Sequence, residues 1–123
     1  MAQRRSVLIV DDDNTLRATL EKIFAKAGYE AQGARNGHDA LKLVAERGWD
    51  LVLADLKMPG KDGLALLDEI RSVRPESKIL IMTAYGTDET QEDALRRGAF
   101  AYLNKPVSRG ELLALCEKAL RSA

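Results

Sequence analysis

The segment VLIVDDDNTLR, residues 7–17, decides the fold, because it joins a buried strand, a cluster of acids and the start of a helix. Four apolar residues in a row, residues 7–10, are typical of a strand that is covered on both faces. Three aspartates follow at residues 11–13, and behind them Leu16 and Leu20 begin a repeat with helical spacing. Like charges at the end of a buried strand repel one another, so something must offset them.

The rest of the chain repeats this alternation of strand and helix. Further short apolar runs lie at residues 29–34, 50–54, 78–82 and 99–103, and the stretches between them have helical spacing. Five strands alternating with five helices predict an α/β fold, a (βα)5 doubly wound parallel sheet of five strands. The second strand carries Glu30 and Gln32 and is typical of a sheet edge. This favours the flavodoxin-like strand order 2-1-3-4-5.

Length and composition limit the classes of function. The 123 residues suit one domain over 1–123, and 19 basic residues balance 19 acidic ones. A net charge of zero argues against direct binding of nucleic acid or of an anionic membrane surface. The single cysteine, Cys116, excludes an internal disulfide, and it is expected to be a small buried apolar side chain on the last helix. With no signal peptide and no membrane-spanning stretch, we expect a cytoplasmic protein.

Charged and polar residues follow four of the five predicted strands. Asp11 and Asp12 follow the first strand, Asp55 the third, Thr83 the fourth and Lys105 the fifth. In an open parallel sheet these strand ends meet at one edge, where ligands bind, so we expect the side chains to converge on a shallow cleft. Each close pair of carboxylates costs roughly 4 kcal/mol at about 4 Å. A cluster of oxygen ligands without His or Cys suits Mg²⁺, or Mn²⁺ in its place.

Four motifs at these strand ends make a resemblance specific. They are VDDD at residues 10–13, LADLKMPGKDG at 53–63, MTAYG at 82–86 and GAFAYLNKP at 98–106. Over residues 5–120 the chain resembles bacterial response-regulator receiver domains of two-component systems, and most of all those attached to AAA+ transcription activators. Each motif alone is weak, but all four in order are highly specific.

The resemblance implies that Asp55 is the phosphoacceptor. It would take a phosphoryl group from the phosphohistidine of a sensor histidine kinase or of a phosphotransfer protein, in a Mg²⁺-dependent reaction. Asp11 and Asp12 would hold the Mg²⁺, with Asp55 and the backbone carbonyl of Lys57 as the remaining protein ligands. The domain would then be a phosphoacceptor that hydrolyses its own phosphoryl group slowly, not an enzyme with a separate substrate.

The resemblance also implies roles for three groups around the phosphoryl site. Lys105 would pair with Asp55 and then with the phosphoryl oxygens, with a cis peptide bond before Pro106. Thr83 would donate its hydroxyl to the phosphoryl group, and Tyr102 would change rotamer as Thr83 moves. We expect a two-state shift of the surface formed by the fourth helix, the fifth strand and the fifth helix. This shift would control an output domain or partner protein, and dimerisation on phosphorylation stays open.

Three residues close in sequence to the predicted site residues have other expected roles. Asp13 is expected to cap the first helix, since one aspartate suffices for that purpose. The resemblance also implies that Lys57 and Tyr85 would flank the approach of an attacking water, and their bulk predicts a phosphoryl lifetime of minutes or longer.

Three rival functions remain at this point. A flavodoxin-like cofactor binder shares the fold, but it needs a phosphate-binding loop where this chain has three acids. A phosphatase with an aspartate nucleophile combines Asp, Thr, Lys and Mg²⁺, but usually in a longer chain with a cap. A degenerate receiver would signal without phosphate, although every expected site residue is present.

Overall fold

A computed structural model describes residues 5–55, 57–58, 61–84 and 86–122, and for residues 57, 58, 61 and 62 it describes the backbone alone. The strands are β1 (Ser6–Val10), β2 (Glu30–Ala34), β3 (Leu51–Ala54), β4 (Lys57–Met58), β5 (Lys61–Asp62), β6 (Lys78–Thr83) and β7 (Ala101–Asn104). The helices are α1 (Asn14–Lys26), α2 (Gly37–Glu46), α3 (Gly63–Val73), α4 (Asp88–Arg96) and α5 (Arg109–Arg121).

The main sheet has five parallel strands in the order β2-β1-β3-β6-β7. This is the predicted order, with β2 at an edge, and the (βα)5 prediction is confirmed. The short antiparallel hairpin of β4 and β5 is an addition that the sequence did not predict. The register pairs Val10 with Ala54, Ala54 with Ile81 and Ile81 with Tyr102, so the carboxyl ends of four strands finish side by side.

Two apolar layers cover the faces of the sheet. One face of the strands packs with α2, α3 and α4, and the other packs with α1 and α5. The alternation of side chains along β1 explains this, because Leu8 and Val10 join the first layer while Val7 and Ile9 join the second. Burying a leucine or phenylalanine of this kind contributes roughly 1.5–3 kcal/mol. The layers leave the carboxyl edge of the sheet for polar side chains.

Side chains that cap the backbone fix where several helices begin. Asp13 caps α1 by accepting a hydrogen bond from the amide of Leu16 at 3.0 Å, as predicted. Ser108 caps α5 in the same manner. α4 begins at a capping box in which Thr87 and Thr90 each accept a hydrogen bond from the other's amide.

α4 is the helix with the fewest buried residues. Of its nine residues, all described, Ala94 alone is buried, and Leu95 is largely exposed. Its C-terminal end is tied to α3 by polar contacts, because Arg71 donates to the carbonyl of Arg97 and Arg97 pairs with Asp68, both at 2.8 Å. These polar contacts supplement the single buried residue of α4.

Within the described ranges, no helix combines the length and apolar character needed to cross a bilayer.

Candidate functional site: an acidic cluster at the carboxyl edge of the sheet

Three carboxylates converge beyond the ends of β1 and β3. Asp11, Asp12 and Asp55 each place one oxygen within 4.8 Å of the others. Asp11 and Asp55 are buried, whereas Asp12 is exposed. These donors are hard oxygen atoms without nitrogen or sulfur, which is the set that suits a divalent cation such as Mg²⁺.

The backbone and side chain of Asp11 are fixed by several hydrogen bonds. Its amide donates to the carbonyl of Ala34 on β2 at 3.1 Å, and its Oδ1 accepts from the amide of Asp13 at 2.9 Å. Its carbonyl accepts from Nη1 of Arg17 at 2.8 Å. The ladder between β1 and β3 continues to Asp55, whose amide donates to the carbonyl of Val10 at 3.0 Å. The two buried acids are therefore set by the sheet itself.

Lys105 bridges the two buried acids. Its Nζ lies 3.0 Å from Oδ2 of Asp11 and 3.1 Å from Oδ2 of Asp55. Burial opposes the charged ammonium, but the hydrogen bonds with Asp11 and Asp55 outweigh that effect and raise the pKa of Lys105 above its ordinary value. The ammonium therefore offsets part of the negative charge of the cluster.

The end of β6 connects the lysine to the sheet. Thr83 is the last residue of β6 and is fully buried, and its carbonyl accepts from the amide of Lys105 at 2.8 Å. The peptide bond between Lys105 and Pro106 is cis. Thr83 and Lys105 thus belong to one hydrogen-bonded unit next to the acids.

Tyr102 is half-buried on β7, and its side chain contacts α4. Its hydroxyl lies 2.8 Å from Oγ1 of Thr90, and its ring packs against the layer that α2, α3 and α4 share. A Cβ built on Gly86 would overlap the Tyr102 hydroxyl, so the loop before α4 leaves room for this ring only because residue 86 is glycine.

The structure thus brings together Asp11, Asp12, Asp55 and Lys105, with Thr83 joined to Lys105 by the backbone. Lys57 contributes its backbone to β4, where it pairs with Asp62. The side chain of Lys57 and the whole of Tyr85 lie outside the described residues.

Two contributors were missed in the sequence. Arg17 donates to the backbone carbonyl of Asp11, and no sequence pattern indicates a contact of that kind. Thr90 could have been found as the third residue after Thr87 in a capping pattern.

Two buried side chains lie away from the cluster. Cys116 is buried on α5, as predicted, and burial raises the pKa of its thiol to about 12. Trp49 is buried two residues before β3, and its Nε1 donates to the carbonyl of Leu43 at 3.1 Å.

Comparison with known proteins identifies the family. Residues 7–117 match the family model for the response regulator receiver domain. The DNA-binding transcriptional regulator NtrC of Salmonella typhimurium is 41% identical over 118 residues, which cover 96% of this chain and 25% of NtrC. The chain therefore spans about a quarter of the length of that relative. NtrC is a transcriptional regulator, which agrees with the predicted resemblance to the receivers of transcription activators.

Solved structures agree with this match. A CheY-like receiver domain from Methanospirillum hungatei superposes with a TM-score of 0.93 at 31% identity, covering 96% of this chain and 94% of that one. A response regulator from Burkholderia pseudomallei, solved with a phosphorylated aspartic acid, a calcium ion and citrate, has a TM-score of 0.87 at 29% identity and covers 91% and 66% of the two chains. The chain belongs to the response regulator receiver domain family and is a phosphorylation-activated signalling domain.

Proposed function

We propose that Asp55 is the phosphoacceptor of this receiver and that its donor is a phosphohistidine on a sensor kinase or phosphotransfer protein. The observation that carries the proposal is the bridge of Lys105 between Asp55 and Asp11, at 3.1 and 3.0 Å. A buried carboxylate at a strand end, next to a half-buried ammonium and two further acids, has the surroundings that phosphoryl transfer needs.

These contacts support the following reaction. An oxygen of Asp55 attacks phosphorus, the bond between phosphorus and the histidine nitrogen breaks, and the electron pair leaves with the imidazole. The product is an acyl phosphate on Asp55. Lys105, which already lies 3.1 Å from Asp55, neutralises charge on the transferred group, and the Thr83 hydroxyl would donate to one of its oxygens.

We propose that Mg²⁺ is the resident metal and that Mn²⁺ can replace it. Asp11, Asp12 and Asp55 would hold the ion, with the backbone carbonyl of Lys57 as a further ligand. A bound divalent ion supplies charge neutralisation at the acceptor and at the phosphoryl oxygens. In support, the donor atoms are all oxygens, and the Burkholderia relative carries a calcium ion together with its phosphorylated aspartate.

We propose that the output passes through Thr83 and Tyr102 to the surface of α4, β7 and α5. A phosphoryl group adds about −1.5 to −2 charges next to Thr83 and would draw the hydroxyl of that residue toward it. Tyr102 lies on the neighbouring strand and is bonded to Thr90 of α4, so a change at the end of β6 can reach α4. If Tyr102→Ala left phosphorylation-dependent partner binding unchanged, this route would be wrong.

The partners proposed are a sensor histidine kinase or phosphotransfer protein on the input side and an output domain or partner protein on the other. In support, the NtrC relative is a transcriptional regulator about four times as long as the matched region. The balanced charge of this domain supports control of an output domain rather than direct contact with nucleic acid. Dimerisation of the phosphorylated domain would be one way to pass on the signal.

Acceptance of a phosphoryl group by Asp55 tests the proposal directly. The protein is incubated with acetyl phosphate and MgCl₂, and its intact mass is measured for the wild type and for Asp55→Ala. We expect the wild type alone to gain one phosphoryl group, and to lose that gain when EDTA replaces MgCl₂. Asp39→Asn is the control, since Asp39 is a carboxylate in a surface ion pair on α2 and should not affect acceptance. Phosphorylation of Asp55→Ala would refute the assignment.

A further inference from the structure

Arg17 holds the backbone next to the acidic cluster, although it belongs to none of the groups assigned above. Its Nη1 donates to the carbonyl of Asp11 at 2.8 Å, and its Nη2 donates to Oδ1 of Asn14 at 2.7 Å. Both branches of one rigid guanidinium are therefore engaged, one at the end of β1 and one at the first residue of α1. The guanidinium closes the turn that carries Asp11, Asp12 and Asp13.

The stem of Arg17 follows a path that β2 makes possible. It lies over Gly33, which pairs with Ile9 in the edge of the sheet. A Cβ built on Gly33 would lie 2.8 Å from Cδ and 2.9 Å from Cγ of Arg17, and it would also overlap Oε1 of Glu21. Real side chains do not pack so closely, so an alanine at this position would push the Arg17 stem aside.

We propose that Arg17 is a positioning residue for the metal site: by fixing the carbonyl of Asp11, it keeps the carboxylates of Asp11 and Asp12 in the arrangement that binds Mg²⁺. The inference rests on the proposed metal role of these two aspartates. The remaining polar atoms of Asp11 already have partners in Ala34, Asp13 and Lys105, and Arg17 supplies the partner of its carbonyl. Groups that orient ligands in this way typically change metal affinity by roughly 10–100-fold when they are removed.

Charge and geometry make opposite predictions for Arg17, which is what makes the inference testable. A guanidinium near the site repels an incoming divalent cation, so its charge alone predicts that removing it would tighten Mg²⁺ binding. Its hydrogen bonds predict the reverse. A lysine keeps the charge but cannot donate through two fixed branches, so Arg17→Lys separates the two effects.

The experiment measures Mg²⁺ affinity by NMR titration of the ¹⁵N-labelled protein, together with the free energy of unfolding of each variant without metal. The variants are Arg17→Lys, Arg17→Gln and Gly33→Ala. Arg47→Gln is the matched control, because Arg47 also pairs with a residue of β2, Glu30 at 2.9 Å, but has no described contact with the acids. Asp12→Asn reports on the proposed metal site itself.

We expect both Arg17 variants to bind Mg²⁺ at least about 10-fold more weakly, Gly33→Ala to be weakened in the same direction, and the control to match the wild type. Wild-type Mg²⁺ affinity in Arg17→Lys, or tighter binding in Arg17→Gln, would overturn the inference. Wild-type affinity in Gly33→Ala would show that the position of the Arg17 stem over β2 does not matter for metal binding. If the wild type binds no Mg²⁺, or Asp12→Asn binds it normally, the proposed metal site fails and this inference fails with it. Loss of binding in Asp12→Asn with normal binding in Arg17→Lys overturns the inference alone.

Discussion

Replacing Lys105 with methionine should destabilise the protein without metal and make its stability depend on Mg²⁺. The ammonium lies 3.0 Å from one buried carboxylate oxygen and 3.1 Å from another. At an effective dielectric of about 20, each of these contacts is worth roughly 5 kcal/mol in Coulomb energy, before the cost of burying the charges is subtracted. Removing one partner of a buried pair costs about 3–5 kcal/mol in practice. The Lys105 side chain is still 18% exposed to solvent, so we expect Lys105→Met to lower the free energy of unfolding by the lower end of this range, about 3 kcal/mol.

Urea unfolding with and without MgCl₂ measures this effect. Asp11 and Asp55 lose their shared cation in Lys105→Met, and a divalent ion bound at the proposed metal site would offset the same carboxylates. For the wild type, a Mg²⁺ concentration of 100 times Kd should raise the free energy of unfolding by about 2.7 kcal/mol. Saturating Mg²⁺ should stabilise the variant by more than this. Lys42→Met, at an exposed lysine of α2, is the control and should change stability little. The reasoning is refuted if Lys105→Met is as stable as the wild type in EDTA, or if Mg²⁺ stabilises the two proteins equally.

Three further predictions test the packing of the domain. Gly98→Ala should lower the free energy of unfolding by about 1–3 kcal/mol, because residue 98 has φ +104° and its Cβ would overlap the Arg71 guanidinium. Gly28→Ala, with φ +95° and open space, should show the backbone cost alone, and an equal loss in both would exclude the Arg71 contribution. Tyr102→Phe removes the hydrogen bond to Thr90, so it should lower the free energy of unfolding by about 1 kcal/mol and speed amide hydrogen exchange in the first turn of α4. Unchanged exchange would contradict the link between Tyr102 and α4. Burial raises the pKa of the Cys116 thiol from 9.0 to about 12. At pH 8 this thiol should therefore react with a thiol reagent at least about 1000-fold more slowly in folded than in urea-unfolded protein. Comparable rates would show that the thiol is not buried.

The raised pKa of Cys116 also sets the sign of a pH effect on stability. The unfolded thiol ionises near pH 9, while the folded thiol stays neutral until about pH 12. Stability from this residue is therefore fully present below pH 9 and is lost as the pH rises from 9 toward 12. Cys116→Ala should lack that dependence in urea titrations between pH 8.5 and 10.5.

Most of the fold was predictable because local sequence and global topology agree. Continuous apolar runs in β1, β3 and β6 require a sheet that is covered on both faces, and Glu30 and Gln32 place β2 at the edge. The hairpin of β4 and β5 was not predictable in this way. Its two-residue strands are too short for any periodicity to be seen.

The candidate site was predictable to the extent that strand ends carry it. Asp11, Asp55 and Lys105 follow predicted strands directly, so topology alone brings them together. Arg17 and the bond between Thr90 and Tyr102 were not identified, because they depend on where a long side chain or a hydroxyl turns after the backbone is in place. Arg17 reaches back across a helical turn to a carbonyl, and backbone carbonyls leave no mark in an amino-acid sequence.

The small apolar contact of α4 has a consequence for how this domain can be rewired. Ala94 is the one buried residue among the nine of α4, so the fold constrains very little of the helix's outward surface. If α4 forms part of the partner surface, as proposed above, partner specificity encoded there can diverge, or be redesigned, while the two apolar layers and the acidic cluster remain intact. Engineering a receiver with a new downstream partner should therefore begin with the exposed positions of α4 and leave Ala94 and the Thr87–Thr90 cap unaltered.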